Sequence, residues 1–242
     1  MGLDLIRPLG AGLVGLVVGS FLATFALRMA TGEQAITGRS HCDGCNRRLG
    51  ALETIPLVSF AATRGACSAC GARIDGLHLV GEGIGGLIAF AAFLVLPAGP
   101  ALLAVLMGWS LLLASLIDWR TFRLPDALTA IVAALALALT ALRGTETLAV
   151  GLVACGITIV LLLGVRALSA RRDMAGLGLG DVKLAGALAL WLGWRTPWMG
   201  VASAAMGLVA MALIRPQDGK LPFGPFIALA GFGLGVIQEA GW

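Results

Sequence analysis

The amino-acid sequence predicts an all-α polytopic membrane protein of about eight transmembrane helices, with one long polar loop between the first helix and the second. Three observations predict it. Of 242 residues, 59% are hydrophobic and only 12% charged, with a mean hydropathy of +0.96, whereas soluble domains are roughly half apolar and a quarter charged. The apolar residues gather in runs suited to a hydrocarbon core of about 30 Å. The Lys and Arg residues fall overwhelmingly on one side of those runs.

The runs lie at about 9–29, 79–96, 101–117, 127–142, 148–169, 181–194, 198–214 and 222–239. The first is too long for the h-region of a signal peptide and lacks a strongly basic lead, so it is expected to be a retained span. Pro97-Ala98-Gly99-Pro100 separates the second and third runs as a breaker cluster. The sixth run is short: 14 residues at about 1.5 Å each reach only about 21 Å. Small residues recur in the first two runs, at Gly12, Gly15, Gly19, Gly81, Gly83, Gly85 and Gly86, and are expected to let helix backbones approach closely.

Lys and Arg fix the expected orientation. With the N-terminus outside, the inside segments carry fourteen cations and the outside segments only Arg7, Arg143 and Arg195. The net charge of +4 is too small, and too divided among loops, to point to nucleic acid.

The polar loop, about 30–78, carries Cys42-x-x-Cys45 and Cys67-x-x-Cys70. Two such knuckles suit a tetrahedral four-thiolate site, because each short turn aims two sulfurs at one ion. Two disulfides are the rival pairing, but a loop on the inside faces a reducing compartment. Zinc is therefore expected, in a structural role because four protein ligands leave no open position, with iron as the alternative. Cys155 lies within an apolar run and reads as a packing residue. His41 reads as a solvated loop residue and His78 as an interfacial one. Glu82 enters the second span and needs a partner there, either a substrate or cofactor, or a structural hydrogen bond.

Two aspartates carry the chemistry. Asp181 follows a glycine-rich loop, Gly176 to Gly180, and opens an apolar run; Asp118 closes another. A helix C-terminus is the wrong end for an anion, so Asp118 has to be protonated, paired or functional. Asp126, after Leu124-Pro125, reads as the N-cap of the next span. Two facing carboxylates can share a proton, one activating water and the other polarising a carbonyl, which hydrolyses an amide without a covalent intermediate. Paired acids in a membrane also serve as proton relays, so a transporter stays open on these residues alone. Helix polarity suggests that Asp181 is the base and Asp118 the acid.

The chain resembles the type IV prepilin peptidases, membrane aspartic peptidases of the GxGD type. The likeness rests on Gly19-Ser20-Phe21-Leu22, the two Cys pairs, Ile55 to Phe60, and Arg64-Gly65 ahead of Cys67. It continues through Asp118 with Leu124-Pro125-Asp126, the stretch from Gly176 to Trp194, and Pro222 to Gly231. Departures lie at Ala23, Ala66, His78 and Leu79.

The resemblance implies an inner-membrane endopeptidase that cuts prepilin or pseudopilin precursors after glycine at the cytoplasmic face. It further implies N-methylation of the new terminus with S-adenosylmethionine in many members. It assigns catalysis to Asp118 and Asp181 and matches Gly65 to a position associated with methylation, so Gly65 is a candidate cofactor contact, with Glu82 a second candidate from its place in the span. It also implies an N-terminal part, 1–100, holding the zinc loop, and a peptidase domain, 101–242. A non-enzymatic assembly factor of the pilus machinery is the third reading. Glu33, Asp43, Glu53, Asp75 and Asp173 are candidate acids for a basic leader.

Overall fold

The computed structural model describes residues 5–32, 40–171, 177–214 and 221–241. Of the residues singled out above, Glu33, Asp173 and Gly176 lie outside them. Every regular element among the described residues is helical, and the chain divides into two compact units, Met1–Leu94 and Val95–Trp242.

The first unit contains α1 (Ile6–Thr31), a short 3-10 turn at Ala51–Thr54, α2 (Val58–Ala62) and α3 (Gly76–Val95). Glycine decides how α1 meets α3. A Cβ on Gly15 would strike the carbonyl oxygen of Gly85, and one on Gly19 would strike that of Gly81. A Cβ on Gly85 would lie 2.7 Å from the Gly15 carbonyl, and one on Gly12 would lie 3.3 Å from Cβ of Phe90. The two backbones therefore touch along a seam of small residues, the arrangement by which helices associate where hydrophobic burial supplies no drive. Gly83 faces open space and takes no part.

The second unit contains α4 (Ala98–Thr121), α5 (Asp126–Leu142), α6 (Thr145–Arg171), α7 (Leu179–Leu192), a 3-10 turn at Gly193–Arg195, α8 (Thr196–Ile214) and α9 (Gly224–Glu239). The short sixth run is its centre. Every residue of α7 from Leu184 to Leu192 is buried, against α5, α6 and α9. Gly186 admits Ile159 of α6, and Gly235 of α9 lies flat against the Trp191 ring. Outer helices look the opposite way: in α6 only Gly151 is buried, and a side chain there would strike the Leu190 carbonyl.

A helix that ends inside apolar surroundings must still satisfy its last carbonyls. The Leu190 carbonyl accepts from the Thr140 hydroxyl at 3.0 Å. The Trp191 carbonyl accepts from Arg143 at 2.8 Å and from the Gln238 amide at 2.9 Å. The Trp191 indole N–H in turn donates to Glu239 at 2.8 Å, and Arg143 pairs with Glu239 at 3.3 Å. This polar knot lets α7 stop short.

Among the described residues, five segments are long and apolar enough on their own to cross a bilayer: α1, α3, α4, α6 and the run Leu179–Ile214, which holds both α7 and α8. Helices α5 and α9 are apolar but shorter. The sequence expectation for Asp126 needs correction. The N-cap of α5 is Pro125, and Asp126 is the helix's first residue, its carboxylate turned to Lys183 at 2.7 Å.

Candidate active site and metal centre

Asp118 sits in the last turn of α4 and is buried, with 5% of its surface exposed. The helix stops just beyond it because Phe122 turns left-handed, at φ +53°, and returns its N–H to the Asp118 carbonyl. The chain then runs through Leu124-Pro125 into α5. The Asp118 carboxylate accepts the backbone N–H of Gly224, the first residue of α9, at 3.2 Å. A Cβ at Gly224 would come within 2.6 Å of that oxygen. The helix polarity that made Asp118 look misplaced is thus only half of its field. The amino end of α9, whose dipole favours an anion, faces the same carboxylate.

Asp181 is the third residue of α7, and its carboxylate accepts the N–H of Gly178, the N-cap, at 3.2 Å. That is the reach-back half of a capping box. The carbonyl of Leu177, ahead of that cap, accepts from Arg166 on α6. Leu124 fills the space between the segments: a Cβ on Gly180 would lie 2.8 Å from Leu124 Cβ, and one on Gly224 would lie 3.2 Å from Leu124 Cδ1. The glycines of both segments therefore let one leucine seat against each. Leu124 thus brings the residue before Asp181 and the amide partner of Asp118 to the same small region. Three segments distant in sequence build the site: the end of α4 with the Leu124 loop that follows it, the start of α7 and the start of α9.

The first unit holds the cysteines. Their four sulfurs all lie within 4.8 Å of one another, with Cys42 and Cys70 at 3.8 Å. Four thiolates around one ion at about 2.3 Å would stand about 3.8 Å apart, so the cluster has the spacing for a metal. The two knuckles are built alike. Antiparallel bridges join His41 to Arg48 and Ala66 to Arg73. Asn46 and Gly71 occupy equivalent left-handed positions, and the amides of Cys42 and Cys67 donate to the carbonyls of Arg47 and Ala72. The amides of Cys70 and Ala69 aim at the Cys67 sulfur and bring its thiol down to about 6. Against the Ala72 amide, the sulfur of Cys45 and burial push Cys70 up to about 11. Sulfurs crowded in this way are a donor set that a cation relieves.

The knuckles are tied to each other by Arg47, which grips Glu53 through two hydrogen bonds at 3.0 and 2.6 Å, while Ser68 donates to Glu53 at 2.9 Å. Arg47 holds the Glu53 carboxyl down at about 2. Glu53 is therefore engaged rather than free for a basic ligand. Asp75 likewise accepts the Leu77 amide at 2.9 Å, whereas Asp43 stands exposed. His41 is not merely solvated: its Nδ1 lies 3.2 Å from an Arg28 nitrogen.

Glu82 has found the structural partners its position demanded. One oxygen accepts from the Ser20 hydroxyl at 2.7 Å and the other from the Leu57 amide at 2.8 Å. Leu57 has φ +61°, so Glu82 holds a strained turn of the loop against α1 and α3. Gly65, at φ +69°, packs on the Phe60 ring. Ser20, Thr24, Arg28, Phe60, His78 and Glu82 share the wall of one cavity, which Gly65 reaches only through Phe60. Neither Gly224, Leu124 nor Arg166 was marked by the sequence as a site residue, although the first two lie in motifs already noted.

An all-helical apolar chain with paired acids at helix ends and a four-cysteine loop defines a class, the membrane-embedded acid proteins with a metal-type knuckle loop. Comparison with known proteins narrows it. Residues 13–96 match the Bacterial Peptidase A24 N-terminal domain, and residues 104–215 match the Type IV leader peptidase family. The chain belongs to that family. Prepilin leader peptidase/N-methyltransferase of Burkholderia pseudomallei (strain 1026b) is 35% identical, over 90% of this chain and 81% of the relative. The protein of the same name from Aeromonas hydrophila is 33% identical, over 80% of this chain and 70% of the relative. That from Dichelobacter nodosus is 29% identical, over 93% and 91%. No solved structure matches the chain.

Proposed function

We propose that the chain is a membrane aspartic endopeptidase that removes the leader of type IV prepilin-like precursors, pilins or pseudopilins, after a glycine. Family membership supports the substrate class, and the observation that supports the chemistry is that Gly180, beside Asp181, and Gly224, which bonds Asp118, both pack on Leu124. Asp181 is the less buried of the two, so it is the one turned to water. It takes a proton from water as the oxygen adds to the scissile carbonyl, while Asp118 gives its proton to the carbonyl oxygen. Collapse of the tetrahedral adduct breaks the C–N bond, the proton held by Asp181 passes to the leaving amine, and a hydroxyl of the adduct returns a proton to Asp118 as the new carboxyl forms. No side chain of the protein becomes covalently attached.

The bias of Lys and Arg supports eight spans in the bacterial inner membrane, with the acid pair and the cysteine loop in the cytoplasm. Residues 1–100 then form the metal-binding part and 101–242 the peptidase domain. Cys42, Cys45, Cys67 and Cys70 would hold a structural zinc, which clamps a loop too small to build its own core.

The relatives' second activity gives the first unit a task, N-methylation of the new amino terminus with S-adenosylmethionine, which supplies a methyl group on a cationic sulfonium. A buried carboxylate and an aromatic face, Glu82 and Phe60 with Gly65 behind it, form a set suited to a cation. Transfer of labelled methyl from S-adenosylmethionine to a cleaved pilin, reduced in Glu82→Gln, tests this part.

Cleavage of a purified prepilin tests the peptidase. Asp118→Ala and Asp181→Ala should each abolish it. Cleavage retained in either variant overturns the pair.

A further inference from the structure

Asp126 and Lys183 have no part in the chemistry above, yet they form an ion pair at the second unit's acid site. Asp126 opens α5 and Lys183 follows Asp181 by two residues in the first turns of α7. Their bond, 2.7 Å from Nζ to Oδ1, joins the α4–α5 turn to the start of α7. Asp118 lies at one end of that turn, four residues before Phe122 and eight before Asp126. Leu124 seated on Gly180 also holds the turn to α7, a contact without direction.

Both partners are open to solvent, with 43% and 75% of the side chains exposed. Exposed pairs of this kind add little to folding stability, so stability does not explain the contact. Its position does. It is a directional link between the two segments that carry the acids, and it sits at the rim, where an incoming peptide would otherwise spread them.

We infer that Asp126 and Lys183 are positioning residues, an ionic clasp that fixes the separation of Asp118 and Asp181. This rests on those two acids being the reacting pair. Reacting groups displaced by about 1 Å can lose up to about a hundredfold in rate, so loosening the clasp lowers kcat and leaves substrate binding and folding largely in place.

The rival explanation is that Lys183 acts by its charge on Asp181. Asp126→Asn separates the two, since it breaks the clasp and keeps the lysine cation. Cleavage of a prepilin peptide by the full chain in detergent would be followed for Asp126→Asn, Lys183→Gln, the double variant and Lys183→Arg. Each single variant should lower kcat by about tenfold, a loss within the range misplacement causes, with KM and Tm nearly unchanged. The double variant should be no slower than the singles, because one interaction cannot be removed twice. Lys183→Arg, which keeps the pair, should recover most of the loss. Wild-type kcat in Asp126→Asn overturns the clasp, as does a double variant that loses the product of the single losses. Asp118→Ala is the control: if it still cleaves, the acid-pair reading itself fails. If it is inactive while Asp126→Asn is normal, only the clasp fails.

Discussion

The carboxylate of Asp118 accepts the backbone N–H of Gly224 at 3.2 Å, although 106 residues separate them in the chain. The contact exists because Gly224 has no side chain, and a Cβ there would stand 2.6 Å from the same oxygen and 3.2 Å from Leu124. Gly224→Ala must therefore push Asp118 or Leu124 aside. We expect a fall in kcat of about a hundredfold, the scale of a misplaced reacting group, with the chain still folded. Prepilin cleavage beside a thermal melt of the same sample measures both.

Glu82 is the corresponding fixed point of the first unit. Replacing it by alanine would leave the half-buried Ser20 hydroxyl and Leu57 amide without their acceptor. Each such loss costs about 1–3 kcal/mol. Glu82→Ala should open the turn at Leu57 to protease, and limited proteolysis followed by mass spectrometry would place the cut between Ala51 and Thr63. Glu82→Gln keeps an acceptor and should be cut more slowly.

Much of this architecture is legible in sequence. The apolar runs were assigned within a few residues, because a span is a composition signal that neighbours cannot override. The short sixth run was also visible, but the reason for its shortness was not. Arg143 and Glu239 lie far from Trp191 in the chain, and only the packed bundle reveals that they finish the end of α7. The two aspartates stood out because acids at apolar helix ends need a reason. Asp126 was misread as an N-cap because Pro125, extended at φ −63° and ψ 130°, already occupies that place. Helix polarity misjudged the field at Asp118 for the same reason, since α9 arrives from another part of the chain.

The polar knot makes a third expectation. Arg143→Ala removes a donor from the Trp191 carbonyl and leaves Glu239, 8% exposed, without its cation. Unfolding in detergent should become easier by about 1–3 kcal/mol. A melt unchanged from wild type would mean that Gln238 alone suffices.

Metal analysis checks the cysteine loop. The purified chain should carry one zinc, and the combined Cys42→Ser and Cys67→Ser variant should carry none. Because the binding free energy of such a site is folding free energy, a strong chelator should render residues 40–75 protease-sensitive. Iron in place of zinc would be seen in the same measurement.

The enclosure of α7 also governs when the molecule becomes whole. Leu179–Ile214 leaves the ribosome as a stretch of 36 residues, and its first half has walls from α5 and α6 already made. Its third wall, α9, is synthesised last. Until Gly224 emerges, Asp118 lacks its amide partner and Trp191 lacks Gln238 and Glu239. A nascent chain halted before that point carries both aspartates yet not the site, so assembly of the acid centre is deferred until α9 is made.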